Sequence, residues 1–313
     1  MTIPEPAAPN ASIVPLPHVQ VLLATFNGER WLAEQLRSIF AQASVRVSVL
    51  VSDHGSTDGT LALLESWRAD GAAIEVLEGV AGERGSAANF LRLVREHGGA
   101  GIDYVALADQ DDVWLPNRLS RAAEVMKRDG AAAYSSDVLA VWDDGRSMPI
   151  RKSHAQRQFD YLLEPAGPGC TYVMTAAFAA AMRAELLSES QRFAAVQQHD
   201  WLIYSYARTH GERWVIDDYP GIRYRQHDDN EVGANVGMRG IRRRWQRARS
   251  GLFRRQLIAV GALWRSAHPE TLRRFERFGW ADRCALALHV RQLRRKPKDQ
   301  LALFFMLLIG VLG

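Results

Sequence analysis

The sequence predicts an α/β fold, a mostly parallel sheet flanked by helices, followed by a helical extension at the C-terminus. Three observations carry this. Between Val19 and Ala108, apolar runs of strand length alternate with segments whose apolar residues recur at helical spacing. Each run ends in a turn signal or a polar cluster. Beyond about Val236 the extended runs stop, and Arg-rich stretches of helical spacing take over.

Val19–Thr25 is the first strand, closed by Phe26-Asn27-Gly28, and Trp31, Leu32, Leu36, Ile39 and Phe40 mark the helix after it. Val45–Ser52 is a valine-rich second strand, followed by the loop Asp53–Gly59 and a helix over Thr60–Trp67. Ile74–Leu77 is a short third strand; the Gly-rich turn Gly79–Gly85 and a helix marked by Phe90, Leu91 and Val94 follow it. The fourth strand, Tyr104–Ala108, runs straight into Asp109-Gln110-Asp111-Asp112. In the second half Val138–Trp142, Thr171–Thr175, Trp214–Ile216 and Ile222–Arg225 read as extended, and Ala177–Leu187 and Trp201–Arg208 as helical. Ligands of such sheets bind at the carboxyl ends of the strands. Here those ends bring Asn27, Asp53 and the acidic quartet to one crevice.

The chain has 313 residues, 47% apolar and 24% charged, enough for one large body and an appendage. Its net charge of +4 is unevenly spread. Residues 239–313 carry 18 Lys/Arg against 4 Asp/Glu, and the first 238 residues carry 21 against 31. The basic part is therefore the one expected to meet a polyanion. Two distant cysteines, Cys170 and Cys284, exclude a disulfide framework and a structural zinc site and fit a reducing compartment. Residues 1–17, interrupted by five prolines, are expected to be a disordered leader rather than a signal peptide. At the other end Leu301–Leu312 is almost wholly apolar and follows the basic run Arg291–Lys298. It is too short to span a bilayer, which needs about 20 apolar residues. It reads as an interfacial anchor on an anionic leaflet, or else as a helix docked on the protein's own core.

Carboxylates clustered at a strand end repel one another unless a cation neutralises them. Hard oxygen ligands of this kind suit Mg²⁺ or Mn²⁺, with a substrate's phosphates completing the shell. The alternative is a solvated acidic turn before the helix that begins near Pro116.

In order and spacing, Val19–Gly28, Ser52–Thr60 (SDHGSTDGT) and Ala106–Trp114 (ALADQDDVW) resemble the nucleotide-sugar motifs of family-2 glycosyltransferases. Gln198-His199-Asp200-Trp201 and Tyr224-Arg225-Gln226-His227 resemble its bacterial rhamnosyltransferase-like branch. The likeness spans roughly Val19 to Gly233. It implies a GT-A fold over residues 18–235, an inverting mechanism and a divalent metal, with 236–313 as a membrane-associating helical extension. It places Thr25, Asn27, Asp53, His54, Asn89, Asp109 and Gln110 at the nucleotide sugar, with Arg84 either pairing phosphate or standing as a solvated loop arginine. Asp109, Asp111 and His227 match metal-site positions, although a single histidine is often structural.

Asp200 matches the catalytic base of the family; the alternative at a helix start is an N-cap or first-turn acid. Gly169 lies in a turn that resembles one beside the acceptor site, and Trp201 either stacks on the acceptor sugar or fills the core. One position departs from the family: Asp53-His54 stands where a second Asp usually reads the base. Neutral histidine accepts a hydrogen bond at one ring nitrogen, so pyrimidine recognition can persist in a pH-sensitive form.

The reading that follows is transfer of L-rhamnose from dTDP-L-rhamnose to a lipid-linked or cell-surface glycan, as in O-antigen assembly, on the inner face of the cytoplasmic membrane. A UDP- or GDP-sugar donor is the nearer alternative, because of His54. A catalytically silent scaffold of the same fold is the rival from another class. A nucleic-acid partner is not expected: membrane phospholipid explains both the basic tail and its apolar end, and nucleic acid only the charge.

Overall fold

The computed structural model describes residues 15–79, 85–188, 193, 196–227, 252–263 and 269–311. The expected leader, apart from residues 15–17, and the Arg242–Arg249 stretch lie outside them.

A seven-stranded sheet forms the centre, in the order β10-β6-β9-β4-β1-β2-β3, with β1 (His18–Thr25), β2 (Arg46–Asp53), β3 (Ile74–Val76), β4 (Tyr104–Ala108), β6 (Ala133–Ser136), β9 (Val173–Thr175) and β10 (Trp214–Asp217). β4, β1, β2 and β3 pair in parallel, as do β6 and β10; β9 alone runs antiparallel between β4 and β6. β6 and β4 therefore point the same way, and their carboxyl ends share one edge.

The helices are α1 (Glu29–Phe40), α2 (Thr60–Ala69), α3 (Ser86–Glu96), α4 (Arg118–Asp129), α5 (Ala176–Ser188) and α6 (His199–Thr209). The central strands are continuous apolar runs because both faces of the sheet are covered. Their alternation divides the interior in two. Val21, Leu23, Val49, Val51, Ala106 and Ala108 pack in one core with Leu32, Leu36, Leu64 and Leu119 of α1, α2 and α4. Leu22, Leu50 and Leu107 pack in the other with Phe90, Phe178 and Trp201 of α3, α5 and α6.

A smaller sheet, in the order β5-β11-β7-β8, joins β5 (Val113–Trp114), β11 (Ile222–Gln226), β7 (Val138–Trp142) and β8 (Ser147–Ile150). β11 runs antiparallel to β5, with Ile222 opposite Trp114 and Arg223 opposite Val113. This pairing carries the end of β11 back to the start of β5, and so brings His227 to Asp111. The two residues of β5 are too few for a periodic signal, and β6 and β8 were likewise not legible as strands.

The C-terminal helices α7 (Leu252–Leu263), α8 (Pro269–Arg277), α9 (Trp280–Leu288), α10 (Val290–Leu293) and α11 (Pro297–Ile309) share the second core: Leu257, Val260, Leu272, Phe275, Leu286, Leu293, Leu303 and Leu307 are buried in it. The apolar terminal segment is thus docked on the protein through Leu303 and Leu307. Two buried leucines contribute roughly 3–6 kcal/mol, enough to hold the helix down. Its other side stays open, with Leu301, Phe305 and Ile309 each more than half exposed at i, i+4 and i+8. Among the described residues no helix is long and apolar enough to cross a membrane.

The basic run before α11 is corrected in part. Arg294 and Arg295 do not face outward but pair with Glu164 (3.7 and 3.4 Å), and Arg295 also approaches buried Asp160 at 3.8 Å.

Candidate active site

The β1–α1 and β2–α2 loops are stitched together by side chains that the motifs supply. Asp53 is buried; its carboxylate accepts the backbone N–H groups of Gly55 (2.9 Å) and Ser56 (2.7 Å) and the hydroxyls of Thr25 (2.7 Å) and Ser56 (2.6 Å). Asn27 takes a left-handed backbone (φ 47), a region asparagine tolerates, and its Oδ1 accepts Thr57 N–H at 2.9 Å. Asn89, on α3, is buried and donates to the carbonyls of Ser52 (2.8 Å) and Thr25 (3.4 Å), joining the ends of β1 and β2.

Thr25, Asp53 and Asn89 are thus brought to the expected place, but their side chains are engaged within the protein and form the floor of the crevice. Gln110 is a further correction to the expected set of nucleotide contacts. Its amide both accepts from Phe26 N–H and donates to Phe26 C=O, each at 2.9 Å. It pins the loop rather than a ligand. Among the described residues of these two loops, Asn27, His54 and half-exposed Phe26 offer surface to a ligand, and the Phe26 ring meets His54 edge-on at 5.9 Å. Arg84 lies outside the described residues.

The acidic quartet separates by burial. Asp111 is half-buried, and His227 Nε2 lies 2.7 Å from its Oδ2; the imidazole stacks on Trp31 with centroids 4.2 Å apart. Asp112 points inward and is 1% exposed. One of its oxygens accepts Arg225 N–H at 3.1 Å and the other is buried with no partner. Burial, then the charges of Asp111 and Asp109, push its carboxyl well above the usual carboxylate range. Ligand atoms of Asp109, Asp112 and Cys170 fall within 4.8 Å of one another.

Of the expected set, Asp111 and His227 meet each other, whereas Asp109 converges with Asp112 and Cys170, two residues that residue order did not single out. Carboxylates, an imidazole and an orphaned carboxylate oxygen together fit a divalent cation such as Mg²⁺ or Mn²⁺. Beneath them Arg118 is buried, lies over the Trp114 ring at 3.7 Å and donates to Cys170 C=O at 2.6 Å. Burial lowers its guanidinium to about 10. A buried arginine on an otherwise amphipathic helix carried no sequence signal.

On the other side of β4 stands α6. Asp200 is half-buried in its first turn, and its Oδ1 accepts Trp201 N–H at 2.8 Å. The Asp200 carbonyl accepts the hydroxyl of Tyr172 at 3.2 Å. The neighbouring His199 is buried and stacked on Phe90 at 4.1 Å; desolvation lowers it to about 3, so the ring is neutral. Gly169 faces that ring, and a Cβ there would lie 2.4 Å from His199 Nε2. The glycine is thus required for close approach to a side chain. Of the two roles expected for Trp201 the structure shows the core one: it is 2% exposed, donates its indole N–H to Tyr161 C=O at 2.6 Å and has no face for a sugar.

The sequence matches the family Glycosyl transferase family 2 over residues 20–190. The chain belongs to this family. Over 290 residues the enzyme is 33% identical to the dTDP-rhamnosyl transferase RfbG of Shigella flexneri, a match covering 92% of this chain and 100% of that protein. Its fold resembles the crystal structure of S. aureus TarS 1-349 with a TM-score of 0.54 at 16% identity, over 94% of this chain and 90% of that one. The same protein in complex with UDP gives 0.53 at 17% identity over the same shares. The glycosyltransferase therefore has the GT-A fold that its motifs implied, and its sequence stands close to a dTDP-rhamnosyl transferase.

Proposed function

We propose that this glycosyltransferase moves L-rhamnose from dTDP-L-rhamnose to a hydroxyl of a lipid-linked glycan precursor, with inversion at the anomeric carbon. The observation that carries the reading is the placement of Asp200. The carboxylate is half-buried in the first turn of α6, and the Asp200 carbonyl accepts the hydroxyl of Tyr172, the residue before the strand β9 that pairs with β4, which supports a base facing a donor held at the β4 exit. Asp200 takes the proton of the acceptor hydroxyl as its oxygen attacks the anomeric carbon and the nucleoside diphosphate departs. Asp109, Asp111 and His227 are the residues that would hold Mg²⁺ or Mn²⁺, whose charge offsets that developing on the leaving diphosphate. Phe26 and His54 face the nucleobase, the first by stacking and the second as hydrogen-bond acceptor. The 33% identity to a dTDP-rhamnosyl transferase over 92% of this chain supports this donor.

The test is calorimetric binding of dTDP, UDP and GDP with and without Mn²⁺, followed by turnover of the matching sugar nucleotides. Metal-dependent preference for dTDP, together with rhamnose transfer, is expected. Preference for UDP or GDP moves the donor assignment, and binding of none of the three overturns the reading.

The same proposal places the enzyme peripherally on the inner face of the cytoplasmic membrane, with residues 236–313 as its membrane-facing extension. Support comes from the exposed row Leu301, Phe305 and Ile309, with Leu288 and Trp280 also exposed on the adjoining α9. Arg291 and Lys298 add exposed positive charge on and just before α11. An apolar row with cations beside it is the pattern of an in-plane interfacial helix. Replacing all three row residues by Ser is expected to lower affinity for phosphatidylglycerol vesicles at least about tenfold, with the melting temperature unchanged because Leu303 and Leu307 stay buried. Undiminished co-sedimentation of the triple variant with the vesicles counts against the membrane assignment.

A further inference from the structure

Three segments distant in sequence meet at the carboxyl edge of β6. Asp137 follows that strand, and its carboxylate accepts the N–H groups of Lys152 (2.6 Å) and Ser153 (2.8 Å) and the Ser153 hydroxyl (3.0 Å). This fixes the loop Arg151–His154. The turn Glu164–Ala166 runs alongside, and Arg295 donates its guanidinium to Pro165 C=O and its backbone N–H to the Glu164 carboxylate at 2.8 Å. Lys296 follows at the N-cap of α11.

The carboxylates of this region are already engaged. Asp160 pairs with Arg208 (2.8 Å), Glu164 with Arg294 and Arg295, Asp299 with Arg294, and Asp137 with the loop it holds. Among the described residues no carboxylate forms an ion pair with Arg151, Lys152 or Lys296. Arg295, 3% exposed, keeps a buried Nη1 with no partner. Burial and the charges of Lys296 and Arg295 push the Lys152 ammonium down to about 8, and His154 is lowered by burial and the same neighbours. The 13-residue α11 begins here as well, without a side-chain cap, and turns the positive end of its dipole to the cluster. Positive charge has been collected in excess of any counter-charge, a state that a multiply charged anion relieves.

The cluster lies close to the acceptor side of the active site. Tyr172 accepts Ala166 N–H (3.1 Å) and donates to the Asp200 carbonyl (3.2 Å), so a single side chain separates the Pro165–Ala166 turn from Asp200. The donor's diphosphate belongs to the other side of the site, at the acidic quartet.

We propose that Lys152, Arg295 and Lys296 seat the diphosphate of a polyprenyl-diphosphate-linked acceptor, so that a carbohydrate unit bridges from this cluster to Asp200. The inference rests on the reading of the chain as a transferase with a lipid-linked acceptor. The exposed apolar row of α11 starts beside the same cluster, so the lipid tail has a surface to follow.

The experiment uses the full chain and the double variant Lys152→Ala/Lys296→Ala. Calorimetry is run with farnesyl diphosphate in detergent, with inorganic pyrophosphate, and with dTDP plus Mn²⁺. Wild-type protein is expected to bind both diphosphate probes, farnesyl diphosphate more tightly. The double variant is expected to lose at least about tenfold in affinity for both, with dTDP binding and melting temperature retained, and Lys152→Arg/Lys296→Arg is expected to restore it. Unchanged farnesyl diphosphate affinity in the double variant overturns the inference. So does a variant that keeps diphosphate binding but no longer binds phosphatidylglycerol vesicles, because the cluster is then a headgroup site. Failure of wild-type protein to bind any nucleotide refutes the transferase reading, whereas nucleotide binding without diphosphate binding refutes only this one.

Discussion

Asp200→Asn is expected to lower kcat about a thousandfold while leaving nucleotide affinity and melting temperature at wild-type values. Asparagine keeps the volume of the side chain and an oxygen for Trp201 N–H, which Asp200 accepts at 2.8 Å. The contact of the Asp200 carbonyl with Tyr172 is made by the backbone and survives. What the amide cannot do is take a proton. A first-turn acid with a purely structural role predicts the opposite: a modest loss of stability from the helix N-terminus, about 0.3–1 kcal/mol, and full turnover. The readouts are kcat with saturating donor and acceptor, calorimetric donor binding and thermal unfolding. Turnover within a few-fold of wild type removes Asp200 from the base role.

The parallel half of the fold was legible because strands buried on both faces are written as continuous apolar runs, and their polar ends mark the crevice. Asp53 was found for that reason, and Thr25 and Asn89 through the likeness of the motifs to the family. That they build the floor was not legible, since donor and acceptor types do not say which partner they meet. Asp53 has four protein donors around it, and only the folded loop reveals that. The meeting of His227 with Asp111 depends on a two-residue strand whose residues pair with positions 108 and 110 further along the chain, for which no periodicity exists.

Burial decided the remaining cases. Trp201 and His199 sit in one short polar-aromatic string that reads as a site, yet both face the core, and only Asp200 between them is half-exposed. Arg294 and Arg295 read as part of a membrane-facing basic run, yet they close ion pairs with Asp160 and Glu164, about 130 positions earlier. A run of cations shows net charge; it does not show which way each side chain turns. The amphipathic division of α11 had the same ambiguity, since a segment that is apolar all round hides which row is docked.

Asp111→Ala should abolish the Mn²⁺ dependence of nucleotide-diphosphate binding and lower kcat/KM at least about a hundredfold, the order expected when a metal ligand and not merely its outer partner is removed. The two adjacent acids are held differently. Asp112 is an anchor: it is 1% exposed and accepts Arg225 N–H, so it ties the start of β5 to β11. Asp111 contributes only its carbonyl to that tie, accepting Arg225 Nε–H at 2.8 Å, and a carbonyl is untouched by the substitution. Its carboxylate instead faces His227 at 2.7 Å. Removing it should therefore leave the melting temperature near wild type, while His227, held by its stack on Trp31, keeps its place. His227→Ala should then give a weaker version of the same effect, about tenfold in apparent Mn²⁺ affinity. A Mn²⁺ titration of dTDP binding in both variants decides the matter. Unaltered metal dependence in Asp111→Ala would show that the cation is held by Asp109 and Asp112 instead, and that the contact between Asp111 and His227 serves only to join β5 to β11.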